Sequence, residues 1–115
     1  MGLLGRVYKA INLDLLQIAR MADTPVEHLT GVVLDLQDLH HLLRKTLATE
    51  IMNLRCLQYQ VDQCLQQDTE VPADLALELE DKQGQIQILS RLLMRLESKV
   101  ALAQRLLTDL SPEPA

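Results

Sequence analysis

The chain has no phenylalanine and no tryptophan, and its only aromatic side chains apart from histidine are Tyr8 and Tyr59. Compact enzyme cores usually draw on aromatics for volume. An apolar content of 48% built largely from leucine, isoleucine and valine instead suits extended helix–helix seams. Positive charge is also scarce: 11 Lys and Arg stand against 16 Asp and Glu, for a formal net charge of -5, and no basic run occurs. That excludes the clustered Lys and Arg that a nucleic-acid backbone demands. It equally argues against an anionic membrane surface as the main partner. No apolar run approaches the roughly 20 residues of a membrane-spanning helix.

Cysteine is limited to Cys56 and Cys64. Eight residues of helix separate them by about 12 Å, too far for a mutual disulfide. Two reduced thiols fit a reducing compartment, so a cytoplasmic or nuclear location is expected. The opening Met1-Gly2-Leu3-Leu4-Gly5-Arg6 lacks the Ser or Thr at position 6 of a myristoylation signal. It also lacks the charged, apolar, small-residue order of a secretory signal, and Asp14 argues against an amphipathic organelle presequence.

What the chain does have is a long periodic stretch. Thr24-Pro25-Val26-Glu27 has the form of a capping box, with Pro25 suited to the first helical position. No proline and no glycine after Gly31 interrupts the next forty or so residues. Val26, Val33, Leu47, Leu54 and Val61 recur at heptad position a, and Leu29, Leu36, Leu43, Leu57 and Cys64 at d. His40 occupies an a position and Glu50 a d position. This spacing predicts a helix over residues 25–67, roughly 60 Å long, which needs another helix beside it. Asp68-Thr69-Glu70-Val71-Pro72 then marks a turn. A third segment, residues 72–110, repeats the pattern at Leu75, Leu79, Ile86, Leu89, Leu93, Leu96, Val100, Ala103, Leu107 and Leu110, with Lys82 the one charged residue in the seam. The tail, 111–115, carries two prolines and cannot continue the helix.

Ahead of these lies a shorter segment, residues 3–22, read as one helix with a stripe at Leu4, Tyr8, Ile11, Leu15 and Ile18. The predicted fold is therefore all-α and a single domain over 1–115. It is a long antiparallel helical hairpin, coiled-coil-like, with a shorter N-terminal helix that makes a three-helix bundle at the terminal half. Counting outward from the turn places Glu50 across from Leu89 to Arg91, with Glu50–Arg91 as a rim pair, and Lys82 across from Leu57. Only the terminal half gains a third helix. Ile51, Met52, Leu65, Leu77 and Ile88 lie outside the seam in the turn-proximal half, where two helices cannot bury each other all round. Together with the stripe Leu4, Tyr8, Ile11, Leu15 and Ile18, they are the candidate partner-binding residues.

Sites for chemistry are thinner. Asp38 and His41, three apart, share the spacing of metal-binding pairs in helical bundles, but the third segment has no histidine to complete such a site. Glu78-Leu79-Glu80-Asp81 resembles the acidic stretch of all-α nucleotide pyrophosphatases, which hold magnesium between carboxylates of facing helices. Around Arg55 to Asp62, the facing stretch offers only Asp62 as a carboxylate. No phosphate loop or nucleophile signature occurs. Arg91, Arg95 and Lys99 form a row at i, i+4, i+8, read as a solvated face. No catalytic residue, cofactor or metal is expected. In style the whole chain resembles the small helical subunits of kinetochore, microtubule-associated, vesicle-tethering and transcription-coactivator assemblies. That resemblance implies a non-enzymatic scaffold subunit, partnered with itself or with another helical protein and oligomeric. The alternatives are a small chaperone that holds a client's amphipathic helix and, more remotely, an all-α metal-dependent enzyme.

Overall fold

A computed structural model describes residues 2–21 and 23–110; the tail expected at 111–115 lies outside the described residues. The described residues form four α-helices and no strand: α1 Leu3–Ile11, α2 Leu15–Met21, α3 Pro25–Gln66 and α4 Ala73–Leu110. The two long helices pack against each other as a hairpin, as their matching heptads predict. Among the described residues, no helix is long and apolar enough to cross a membrane.

The first departure from the sequence reading is at the N-terminus, where one helix over 3–22 is replaced by two. α1 stops at Asn12, whose amide donates to the Tyr8 carbonyl at 3.2 Å. Asp14 then starts α2: its Oδ1 accepts from the Gln17 amide at 3.1 Å and its carbonyl from the Ile18 amide at 3.2 Å. A short acidic side chain at this point offers the backbone a partner that competes with a continuous helix. The break also resets the buried face. Val7 and Ala10 are buried in α1, whereas Leu4 and Tyr8, two of the stripe's residues, are exposed.

α3 begins as predicted, with Pro25 in the first helical position and the His28 amide bonded to the Thr24 carbonyl at 3.0 Å. Its end is a six-residue closure. The Thr69 amide donates to the Cys64 carbonyl at 2.9 Å and the Asp68 amide to the Leu65 carbonyl at 3.3 Å. These are the two bonds of a Schellman motif, which puts the residue after the cap in the left-handed region. That residue is Asp68, with φ 57°. The Thr69 hydroxyl adds a second bond to the Cys64 carbonyl at 2.9 Å.

The chain divides into two compact units. The first draws on α1, α2, α3 as far as Leu43 and α4 from Leu92. Its core is dry: Val7, Leu15, Leu29, Leu36, Leu43, Leu96 and Ala103 have almost no exposed surface. Leu39 and Leu92 are buried as well, although they sit at g, beside the seam. Burial of g positions is what a third helical layer does to a two-helix seam, and α1 and α2 supply that layer.

The second unit, Arg44–Arg91, has only the two long helices and the turn between them. Here only Leu57 and Leu89 are buried; Leu47, Leu54, Val61, Leu75, Leu79 and Ile86 are half-buried. Two helices cover one stripe of each other and leave the rest to solvent. The two charged seam residues meet in this unit: Lys82 Nζ lies 2.6 Å from Glu50 Oε2. This corrects the expected Glu50–Arg91 pair and the placing of Lys82 against Leu57. Glu50 and Lys82 both stand at d and reach along the seam toward each other, whereas Arg91 stands at f, on the opposite side of α4, and is exposed.

Candidate functional site

The second unit carries large apolar side chains that neither helix covers. On α3, Met52 is 66%, Tyr59 64% and Leu65 63% exposed; on α4, Leu77 is 59% and Ile88 50% exposed. Ile51 is half-buried at the seam's edge. Their positions follow from helical arithmetic. Met52 and Tyr59 are seven apart, at f, with the exposed Cys56 between them at c, so the three form one outward row on α3. Leu77 and Ile88 are eleven apart, three turns, and share the outward face of α4. The α3 row is apolar along its length, whereas Asp81 and Gly84 stand between Leu77 and Ile88 on α4.

In the first unit the predicted residues separate. Leu4 and Tyr8 are exposed and lie one turn apart on α1. Ile11 and Ile18 are half-buried. Leu15 is 2% exposed, part of the bundle core rather than of any outward face. The break at Asn12–Asp14 explains the split, since α1 and α2 orient their apolar faces independently. Leu16, Leu34, Met94 and Leu102 are also exposed, but they are spread over three helices.

Among the described residues of the first unit, two open clefts stand out. One, of about 340 Å³, runs between α1 and α3 and is lined by Leu13, Val32 and Leu39 together with Arg6, Lys9 and Asp35. The other, about 290 Å³, surrounds the His40–Glu97 contact, Nε2 to Oε1 at 3.0 Å, with Gln37, Val100 and Gln104. Both are open to solvent, unlike the clefts that bury most of a small-molecule ligand's surface. Among the described residues, no group of three or more His, Cys, Asp or Glu is placed to hold a metal ion. Asp38 and His41 both face solvent, as do Glu78, Glu80 and Asp81. Both cysteines are free thiols.

Sequence reasoning named Met52, Leu65, Leu77 and Ile88 but missed Tyr59. The signal was present: Met52, Cys56 and Tyr59 stand at i, i+4 and i+7, the spacing of a helical face, but outside the main seam. No protein-family model, curated protein or solved structure matches this chain.

Proposed function

We propose that the chain is a non-enzymatic interaction subunit that assembles with helical partners through the outward faces of its turn-proximal unit, in coiled-coil fashion. One observation carries this reading: the row Met52, Cys56, Tyr59 on α3, with Leu65 nearby, is large, apolar and uncovered in a unit that has only two helices. Fully burying a side chain of this size contributes about 1.5–3 kcal/mol. Docking a helix along the row therefore recovers apolar burial that two helices cannot supply for themselves. The amphipathic partner that fits presents its own apolar residues at i, i+3, i+4 and i+7.

The test compares the wild-type chain with Met52→Lys/Tyr59→Lys by light scattering after purification from the same host. Both positions face solvent, so the variant keeps its helical circular dichroism. The wild type is expected to run above monomer mass, alone or with a stoichiometric companion, and the variant at a lower mass than the wild type, having lost the contacts made through the α3 row. If the two run at the same mass, the proposal is wrong.

A further inference from the structure

The outward face of α4 within the turn-proximal unit carries a second row. Asp74, Leu77, Asp81, Gly84, Ile88 and Arg91 follow one another at alternating steps of three and four, and all six are exposed. This is heptad spacing, displaced around the helix from the main seam to positions c and f. Charge is polarised along it. Asp74 and Asp81, with Glu78 and Glu80 beside them, precede Gly84, and Arg91 follows it. Asp81 and Arg91 take no part in the Glu50–Lys82 or His40–Glu97 contacts.

Gly84 is the second unusual feature. A glycine inside a helix is destabilising by about 1 kcal/mol relative to alanine. Among the described residues nothing packs so closely as to require it, because a Cβ built there would meet no atom within 4 Å. Its effect is to leave a notch in the middle of an otherwise side-chain-covered row, where another helix can approach closely.

We infer that this row is a homotypic seam: a second copy of the chain docks its own α4 antiparallel against it, around a two-fold axis that passes between Gly84 and Ile88. In antiparallel pairing, residues equally far on either side of the axis stand opposite one another, and c meets f. Ile88 of each copy then enters the notch at Gly84 of the other, and Asp81 of each copy faces Arg91 of the other. Both contacts occur twice, as an isologous interface requires. Parallel pairing would set Asp81 against Asp81 and Arg91 against Arg91. A uniformly acidic or basic helix would satisfy only one half of the row. The four central residues, Asp81, Gly84, Ile88 and Arg91, are complementary to themselves reversed, and that selects a second copy as the occupant. The inference rests on the interaction-subunit reading and narrows the partner on this face to the chain itself.

Charge exchange tests it. Asp81→Arg, Arg91→Asp, the double variant and an equimolar mixture of the two single variants are compared with the wild type by sedimentation velocity at low salt, across a hundredfold concentration range. The wild type is expected to dimerise. Each single variant turns two attractive contacts into two repulsive ones, which moves its dimerisation midpoint upward by roughly four- to thirtyfold. The mixture forms a heterodimer with both contacts restored, and the double variant dimerises as the wild type does. Gly84→Leu fills the notch and blocks dimerisation, while the chain's helical circular dichroism is retained. A wild type that stays monomeric, single variants that dimerise normally, or a mixture that fails to recover would overturn the seam. Association that survives both charge reversals but is lost in Met52→Lys/Tyr59→Lys would likewise overturn it while leaving the interaction-subunit reading in place.

Discussion

Removing either partner of the Glu50–Lys82 pair should destabilise the turn-proximal unit far more than a surface ion pair would, and removing both in favour of leucine should not. The geometry sets the scale. The two charged atoms are 2.6 Å apart, and the side chains retain 24% (Lys82) and 21% (Glu50) of their exposure. Exposed pairs contribute about 0.2–1 kcal/mol. Breaking a fully buried pair by deleting one partner costs about 3–5 kcal/mol, mostly because a charge is stranded. A pair about three-quarters shielded falls between these limits, so Glu50→Ala or Lys82→Ala alone is expected to cost roughly 2 kcal/mol. For a chain of this size that lowers Tm by about 8 °C. Glu50→Leu/Lys82→Leu converts the site into ordinary d-layer packing and should match or exceed wild-type stability. Urea and thermal unfolding followed by circular dichroism at micromolar concentration measure all three, and the single and double alanine variants complete a double-mutant cycle. Single variants within about 0.5 kcal/mol of wild type, or a coupling energy near zero, would show that the pair is solvated and that the seam does not depend on it.

Two further outcomes follow from the contrast in burial and from the turn. Leu36→Ala, in the dry core of the first unit, should cost about 3–4 kcal/mol, and Leu54→Ala, half-buried in the second, only about 1–2 kcal/mol; equal losses by urea unfolding would mean that the third helical layer adds nothing to the core. Asp68 holds a left-handed conformation that glycine adopts without steric cost, so Asp68→Gly should raise stability by roughly 1 kcal/mol, and a drop in Tm would show that the Asp68 side chain is needed at the turn.

The heptad seam was legible because leucine, isoleucine and valine at alternating three- and four-residue steps admit one arrangement of two long helices, and a five-residue break containing Pro72 folds one back on the other. The N-terminal segment was misread for a related reason. The steps Leu4, Tyr8, Ile11, Leu15, Ile18 continue evenly through residues 12–14, so periodicity alone sees one helix. Local chemistry decides otherwise: Asn12 ends α1 and Asp14, with Gln17 three residues on, opens α2. That Asp-x-x-Gln spacing is a helix-start signature and outweighs an apolar period when the two conflict. Once α1 is cut short its face turns, and Leu4 and Tyr8 point outward while Val7 and Ala10 enter the core.

The pairing of Glu50 with Lys82 shows a different limit. Counting outward from a turn fixes which residues lie level, but long charged side chains reach along the axis, so the pairing follows the direction in which each side chain leaves its helix. Both residues stand at d and both point into the seam; Arg91, nearly level with Glu50 by count, leaves α4 on its far side. The same distinction hid the outer rows. Against the main seam, Leu77 and Ile88 simply fall outside the pattern, Asp81 is part of an acidic stretch and Arg91 the start of a basic row. Read around the helix, they are successive positions of one stripe, and Met52, Cys56 and Tyr59 are those of another on α3. A helix pair that buries one seam leaves the opposite face free to carry a second pattern. In this chain that face carries the residues on which the proposed contacts rest.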